Sequence, residues 1–588
     1  MTDIAPRQRT VRLLSRAAAL DRSLARPAGV ALFATVIATV ARLLGPLAVR
    51  SGVDDGIANG DSGAITAAAV VFAALLAAQY LAQRWAQFGV ASLGELYLRM
   101  LRSRVFRHLM DLDMAFYGRS KAGVLVSRMT NDIESLSEFV EEGAVSLVTN
   151  ILTILGVGVA MLLVDVPVAL TIFALIAVLG FISRVFQKYA ARAYNEVREQ
   201  IGRVLAGLQE GITGVRVVQA FTQEEEQAGS FGGVNEAYYE ANMRAARQIA
   251  WYFPSVASFR TAGVGLLLWV GGRRVISGDM TFGSMVAMLM YLDWFFQPII
   301  NLSNTYNQMQ SAAAAMAKLF RLLDTPPSVV APADGGVTFG GRVAGEIVID
   351  GASFSYDGVT PVIKNVDLVI PPGERVSVVG ETGAGKSTLA RLALRFYDPT
   401  SGTVRLDGVD LRRVSAAERA RHIVLIPQEG FLFNGTLRDN LRYARPEATD
   451  DELWEVCRTL GIDDWVHDLP ERFDTLVRER GGRFSAGERQ LVALARALLA
   501  DPEVIVLDEA TSNLDPETEA QVERALLTLL EGRTAIVIAH RLRTAERSDR
   551  VLLVADGRIV ADGPHTDLVG SSAAYAELVS VWERGILR

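Results

Sequence analysis

The chain has 588 residues, too many for one ordinary domain, and half of them are hydrophobic (50%), a proportion that points to a membrane. Its net charge of -7 argues against a nucleic-acid partner, because binding a phosphate backbone needs a basic surface. A single cysteine, Cys457, excludes an intramolecular disulfide, and five histidines leave no Cys/His cluster at metal-ligand spacing, so no zinc site is expected.

The first half of the chain carries long apolar runs. Residues 63–83 and 143–164 contain no charge and are long enough to cross a hydrocarbon layer roughly 30 Å thick. Residues 166–183 follow Val164 after Asp165 alone, with Pro167 beside it, so two helices turn back on each other across a very short loop. Residues 28–49 around Arg42, 248–272 around Arg260 and 281–308 around Asp293 also qualify, which predicts six spans. Arg7, Arg9, Arg12, Arg16, Arg22 and Arg26 precede the first span, and Asp54, Asp55 and Asp61 follow it. The positive-inside rule therefore places the N-terminus in the cytoplasm, and six crossings return the C-terminal half to the same side. A cleaved signal peptide at the basic start is the alternative; it leaves an odd number of spans.

Between spans two and three, and again between four and five, the chain is charged and largely free of Gly and Pro clusters, as in helices that continue into the cytoplasm. Small residues interrupt the helical pattern in 116–132 and 210–221, where a short transverse helix is expected. Arg260 and Asp293 lie at similar depths on neighbouring antiparallel helices, where a charge at the bilayer centre costs about 2.5–3.5 kcal/mol. Two readings stand: the residues pair with each other, or they line an aqueous cavity that binds a polar group of a substrate.

From residue 323 the character changes. A Pro/Gly/Ala linker, "DTPPSVVAPADGG", precedes short β-branched runs that alternate with helical stretches, the pattern of an α/β domain with a largely parallel sheet. In "VSVVGETGAGKST" a Val-rich strand leads into Gly380, Glu381, Thr382, Gly383, Ala384, Gly385, Lys386, Ser387 and Thr388, and a helical pattern follows. That is the context a phosphate-binding P-loop demands: backbone N–H groups face the phosphates, Lys386 adds charge toward the β/γ oxygens, and Ser387 is placed to ligate Mg²⁺. Downstream, "EVIVLDEATSNLD" is a buried strand ending in Asp508, expected on Mg²⁺ through water, and Glu509, expected as general base toward the attacking water. A further strand, "TAIVIAH", ends in His540, expected to reach the γ-phosphate.

Six spans followed by these motifs resemble the ATP-binding cassette (ABC) transporters of exporter type, and the likeness covers nearly the whole chain. The resemblance implies an α-helical six-span membrane domain plus an α/β P-loop ATPase domain. It divides the chain into a cytoplasmic N-terminal segment (1–26), a transmembrane domain (27–322), a linker (323–345) and a nucleotide-binding domain (346–588). It implies that Tyr356 of "FSYDG" stacks on adenine and that Gln428 of "IPQEGFLFNGTLRDNL" links Mg²⁺ and water to the membrane helices. Asp515 then signals across a dimer, His540 acts as a switch, and residues 116–123 and 210–221 serve as coupling helices. "FSAGERQ" stands where the family has Leu-Ser-Gly-Gly-Gln, so Ser485, Gly487 and Glu488 belong to a helix start that covers the γ-phosphate held by the opposite subunit.

Phe484, Ala486 and Glu488 depart from that pattern, and Glu488 adds a negative charge near the nucleotide face. An altered signature beside an intact Glu509 and His540 favours a heterodimer with a second half-transporter over a homodimer. The expected activity is ATP hydrolysis, with ATP and Mg²⁺, coupled by alternating access to export of a lipid-like, drug-like or peptide substrate across the plasma membrane, with lipids as surroundings. An importer on the same fold and a membrane-tethered ATPase acting as sensor or gated channel are the alternatives.

Overall fold

The computed structural model describes residues 25–332, 334–478, 481–508, 516–539 and 541–586. The chain divides into two compact units, one drawn from Met1–Arg107 and Leu125–Asp324, the other from His108–Val124 and Thr325–Arg588. The predicted catalytic residues Glu509 and His540, and Asp515, lie outside the described residues.

The first unit is helical. Its main helices are α1 (Ala25–Ser51) and α2 (Ser62–Asp111), then α4 (Ala144–Val164), α5 (Val166–Thr213), α6 (Val215–Ala220), α7 (Glu224–Ile276) and α8 (Phe282–Leu323), with α3 (Met114–Arg119) assigned to the other unit. At 1.5 Å per residue, α2, α5 and α7 (50, 48 and 53 residues) are each about 70–80 Å long, more than twice a hydrocarbon layer. The charged stretches between spans are thus helical extensions, as their composition predicts.

Among the described residues, five helices are long and apolar enough to cross a membrane by length and composition, and α8, which holds the sixth expected span, is not one of those five. The reason is its position. It packs against α1, α4 and α7, and Ala287, Met288, Tyr291 and Leu292 on it are at most 1% exposed. The face packed on its neighbours needs no apolar side chains for lipid, and polar residues such as Asp293, which stays 58% exposed within the subunit, and Asn301 lower the mean hydropathy of the helix.

Two corners fix the outer ends of these helices. Only Asp165 separates α4 from α5; its Oδ1 accepts from the Val168 N–H (3.1 Å), capping α5, and its Oδ2 accepts from Arg274 Nε on α7 (3.1 Å). Asp54 accepts from the Gly283 N–H (2.7 Å) and the Thr281 hydroxyl (2.6 Å), so the end of the first span clamps the start of α8.

The second unit is α/β. An antiparallel sheet of order β2-β1-β4-β5 comprises β1 (Ile347–Phe354), β2 (Ile363–Ile370), β4 (Ser401–Leu406) and β5 (Val409–Asp410). A second sheet of order β10-β9-β3-β8-β7-β6 comprises β3 (Arg375–Val379), β6 (Ile423–Ile426), β7 (Val504–Asp508), β8 (Thr534–Ile538), β9 (Arg550–Ala555) and β10 (Arg558–Gly563). The strands from β9 to β6 run parallel, and β10 closes the edge antiparallel to β9. Val376, Val378, Val504, Val506, Ile536 and Ile538 are buried, as expected for strands covered on both faces. Cys457 is wholly enclosed among the apolar residues under the flanking helices.

The short helix α3 is held by this unit. Asp113 caps it at the Phe116 N–H (3.1 Å) and also accepts from Ser328 Oγ (2.6 Å) and the Val329 N–H (3.0 Å) in the linker. Ala115 packs on the core beneath β1 and β3. The second expected transverse element is α6, with Val217 and, just beyond it, Phe221 exposed.

Candidate functional site

Three neighbouring strands of one parallel sheet, β3, β8 and β7, end at a common edge. Strand β3 runs into the loop at Gly380, its neighbour β8 ends just before His540, and the next strand, β7, ends at Asp508. Because parallel strands share a direction, their C-terminal ends lie side by side, where open α/β sheets place ligands.

The loop is shaped by glycines with no room for a side chain. At Gly380 (φ +144°) an added Cβ would stand 2.1 Å from the Val554 carbonyl oxygen; at Gly385 (φ +109°) it would meet Ile363 Cδ1 at 2.9 Å. Gly385 caps α9 (Lys386–Ala393), so the free N–H groups of that helix start open into the loop. Lys386 is only 5% exposed, and its ammonium donates to the carbonyls of Gly380 (2.7 Å) and Glu381 (2.8 Å). A buried cation folded back on its own loop is preset for oxygen anions. Glu381, Thr382 and Gly383 are exposed, Ala384 is buried, and Ser387 is half-buried on the first turn of α9.

Gln428 follows β6 and is exposed; Asp508 is half-buried. Each of them, like Ser387, carries a side-chain oxygen, the donor type that suits Mg²⁺ better than a softer metal. The buried Gln490 donates to the Pro427 carbonyl (3.3 Å), tying the glutamine loop to the helix that begins at Ser485. Gly430 touches the same helix: a Cβ there would lie 2.4 Å from the Arg489 carbonyl oxygen.

That helix, α10 (Ala486–Ala500), starts with a reciprocal capping box. Ser485 Oγ accepts from the Glu488 N–H (3.1 Å), and Glu488 Oε2 accepts from the Ser485 N–H (2.6 Å). The other carboxylate oxygen, Oε1, accepts from the Trp465 indole N–H (2.8 Å). Both oxygens of Glu488 are therefore engaged by this chain's own donors. Phe484 is 5% exposed and meets Trp465 edge to face (5.6 Å, 62°), so its departure from leucine serves the core. Ser485 is exposed and Gly487 buried.

Tyr356, two residues beyond the end of β1, stands edge-on to Phe354 and Tyr397, and its hydroxyl shares a hydrogen bond with Thr388 Oγ1 (2.9 Å). Two links here escaped the sequence reading. Arg119, at the end of α3, donates to the Tyr356 carbonyl, and Arg391 Nη1 donates to its hydroxyl at 3.4 Å. Nothing local in "FYGRSKAG" marks that arginine, since its partner lies over two hundred residues away.

In the helical unit, Arg260 Nη1 donates to Asp293 Oδ1 at 2.7 Å, so the two predicted residues form an ion pair.

Comparison with known proteins supplies the family. Residues 29–299 match the ABC transporter transmembrane region, and residues 363–512 match the ABC transporter family. An uncharacterised ABC transporter ATP-binding protein, YknV of Bacillus subtilis, is 37% identical over 83% of this chain and 80% of its own. The chain belongs to the ABC transporter family. A multidrug efflux ATP-binding/permease protein of Mycobacterium bovis is 36% identical over 95% of this chain, which spans about half (47%) of that longer protein. The solved structure of a bacterial Atm1-family ABC exporter with ATP bound superimposes with a TM-score of 0.77 at 26% identity, over 95% of this chain and 99% of the other. The ABC transporter described here is a half-transporter of exporter type, a multi-pass membrane protein in which ATP hydrolysis is coupled to export, and it works as a dimer.

Proposed function

We propose that residues 380–388 hold the phosphates of ATP, with Lys386 and the α9 N-terminus supplying the positive field and Tyr356 taking the adenine. The observation that carries this reading is the buried Lys386 ammonium, held over a glycine loop that opens onto a helix start. Ser387, Gln428 and Asp508 are the residues to hold Mg²⁺, whose charge, when bound, neutralises the β/γ oxygens. Glu509 takes the proton of the attacking water while His540 contacts the γ-phosphate. Ser485 and Gly487 cover the nucleotide bound by the partner subunit, residues 27–322 form the transmembrane domain, 346–588 the nucleotide-binding domain, and 323–345 join them. Arg260 and Asp293 belong to the wall of the substrate pathway, for a lipid-like, drug-like or peptide cargo.

A heterodimer is the partner arrangement we favour, on the grounds that Ala486 and Glu488 alter the signature while the predicted catalytic positions are kept. A homodimer is the second reading, and the capping box favours it: with both carboxylate oxygens engaged, Glu488 brings no free charge to the helix start. One experiment tests activity and assembly together. The chain is purified alone, its oligomeric state measured, and ATP turnover followed in proteoliposomes. ATP-dependent vectorial flux supports transport; turnover without flux of any offered cargo supports a sensor or channel. Glu509→Gln is expected to lower turnover by at least about a hundredfold.

A further inference from the structure

The membrane-crossing helices hold an unbalanced set of charges. Among the described residues, the charges well inside the spans are Arg42 on α1, Arg260 on α7 and Asp293 on α8. Nearer the outer ends Arg274 pairs with Asp165 at 3.1 Å and Arg50 with Asp54 at 3.6 Å, while Arg273, beyond the apolar run, lies over the Trp269 ring at 5.0 Å. Asp293 is engaged by Arg260, which leaves Arg42 with no carboxylate partner among the described residues. Instead the Arg42 guanidinium lies 4.8 Å from the centroid of the Trp294 ring, one residue after Asp293 on α8. The neighbouring Tyr291, wholly buried, donates its hydroxyl to the Leu43 carbonyl (2.7 Å) and stands edge-on to Trp294 (6.3 Å). Arg42 is therefore fixed in place by the helix beside it.

Two further observations give the set a direction. Arg260 and Asp293 keep 55% and 58% of their side-chain surface free within the subunit, so this face of α7 and α8 is not sealed by the subunit's own packing. Charge facing lipid there is costly, so the face belongs to a wet cavity or to the second subunit. A ring face stabilises a guanidinium but does not neutralise it.

We infer that Arg42, backed by Trp294 and the Arg260–Asp293 pair, forms an anion subsite in the translocation path, and that the exported cargo is an amphipathic molecule with a carboxylate or phosphate head. This rests on the transport reading above and names the substrate class for it. The net positive charge explains the preference. An anionic head compensates Arg42 without disturbing the existing pair. A cationic head would have to draw Asp293 away from Arg260, leaving both arginines uncompensated in a medium where each is costly.

The test uses the full-length chain, in its dimeric form, in phosphatidylcholine liposomes with four probes of equal tail length: laurate, dodecyl phosphate, dodecyltrimethylammonium and dodecyl maltoside. Half-maximal stimulation of ATP turnover is expected at roughly tenfold lower concentration for the anionic probes than for the other two. Arg42→Gln is expected to erase that ratio, Arg42→Lys to keep most of it, and Asp293→Asn, which frees Arg260, to widen it. Stimulation by only one of the two anions tells carboxylate from phosphate. Preference for the cation, or a ratio unchanged by Arg42→Gln in a protein of unaltered melting temperature, overturns the inference; should Arg42→Gln fail to fold, narrowing by Asp293→Asn does the same. Loss of charge preference with ATP-driven flux intact sinks only this inference, whereas absence of flux for every probe removes the transport reading itself.

Discussion

Glu488 shows how far a residue can be read from its neighbours in the chain. Against the family pattern it looks like a charge misplaced near a phosphate, yet its carboxylate accepts from the Ser485 N–H and the Trp465 indole. The first of these contacts is local and legible, since Ser-x-x-Glu spells a capping box. The second arrives from another helix and has no sequence signal. Glu488→Ala should lower stability by about 1 kcal/mol through loss of the box, with the Trp465 hydrogen bond adding to it, measurable as a fall in the melting temperature of the purified protein. Glu418 supports a pH prediction. The Phe339 N–H donates to its Oε1 at 2.9 Å, and with its neighbours His422 and Arg421 this holds the carboxyl below the usual range. A carboxyl whose pKa is lowered on folding stabilises above its ordinary titration range and loses that contribution as pH falls through the lowered value. Glu418→Gln should therefore flatten the acid side of the stability profile of the full-length protein, and an unchanged acid limb would contradict this assignment.

Helices, strands and their order were largely legible because each is written in a short repeat of apolar residues. The long extensions beyond the spans followed from unbroken charged periodicity, and the tight turn at Asp165 from the lone polar residue before Val166-Pro167. What periodicity does not reveal is which face of a helix its neighbours cover: α8 packs Ala287, Met288, Tyr291 and Leu292 against the bundle while Asp293 stays open, a division set by the tertiary arrangement. Asp165 also does more than end a helix. It caps α5 and holds Arg274 of α7, being 8% exposed itself. Asp165→Ala removes a cap worth about 1 kcal/mol and strands a charge, so a loss of roughly 2–4 kcal/mol is expected. Asp165→Asn, which can still cap, should recover part of it in the same melting assay.

For the protein as a whole, the motifs name the family and the residues proposed to handle ATP but leave the assembly open. The P-loop, Asp508 and the Ser485 helix were recognisable because each is a contiguous string whose backbone geometry is set locally, whereas the ties between Gln490 and Pro427 or Arg119 and Tyr356 join distant stretches and became visible only in the folded unit. If the two ATP sites are shared between subunits, turnover per chain should rise with protein concentration in detergent until dimers saturate; a rate per chain independent of dilution would count against sharing. The enclosed Cys457 has a practical bearing on that question. Wholly buried, with its thiol pushed up to about 12 by burial, it is nearly silent toward maleimide at neutral pH. The natural sequence therefore serves as its own labelling background: paired nitroxides at engineered surface cysteines can follow the opening and closing of the gate in a protein whose native core is left untouched.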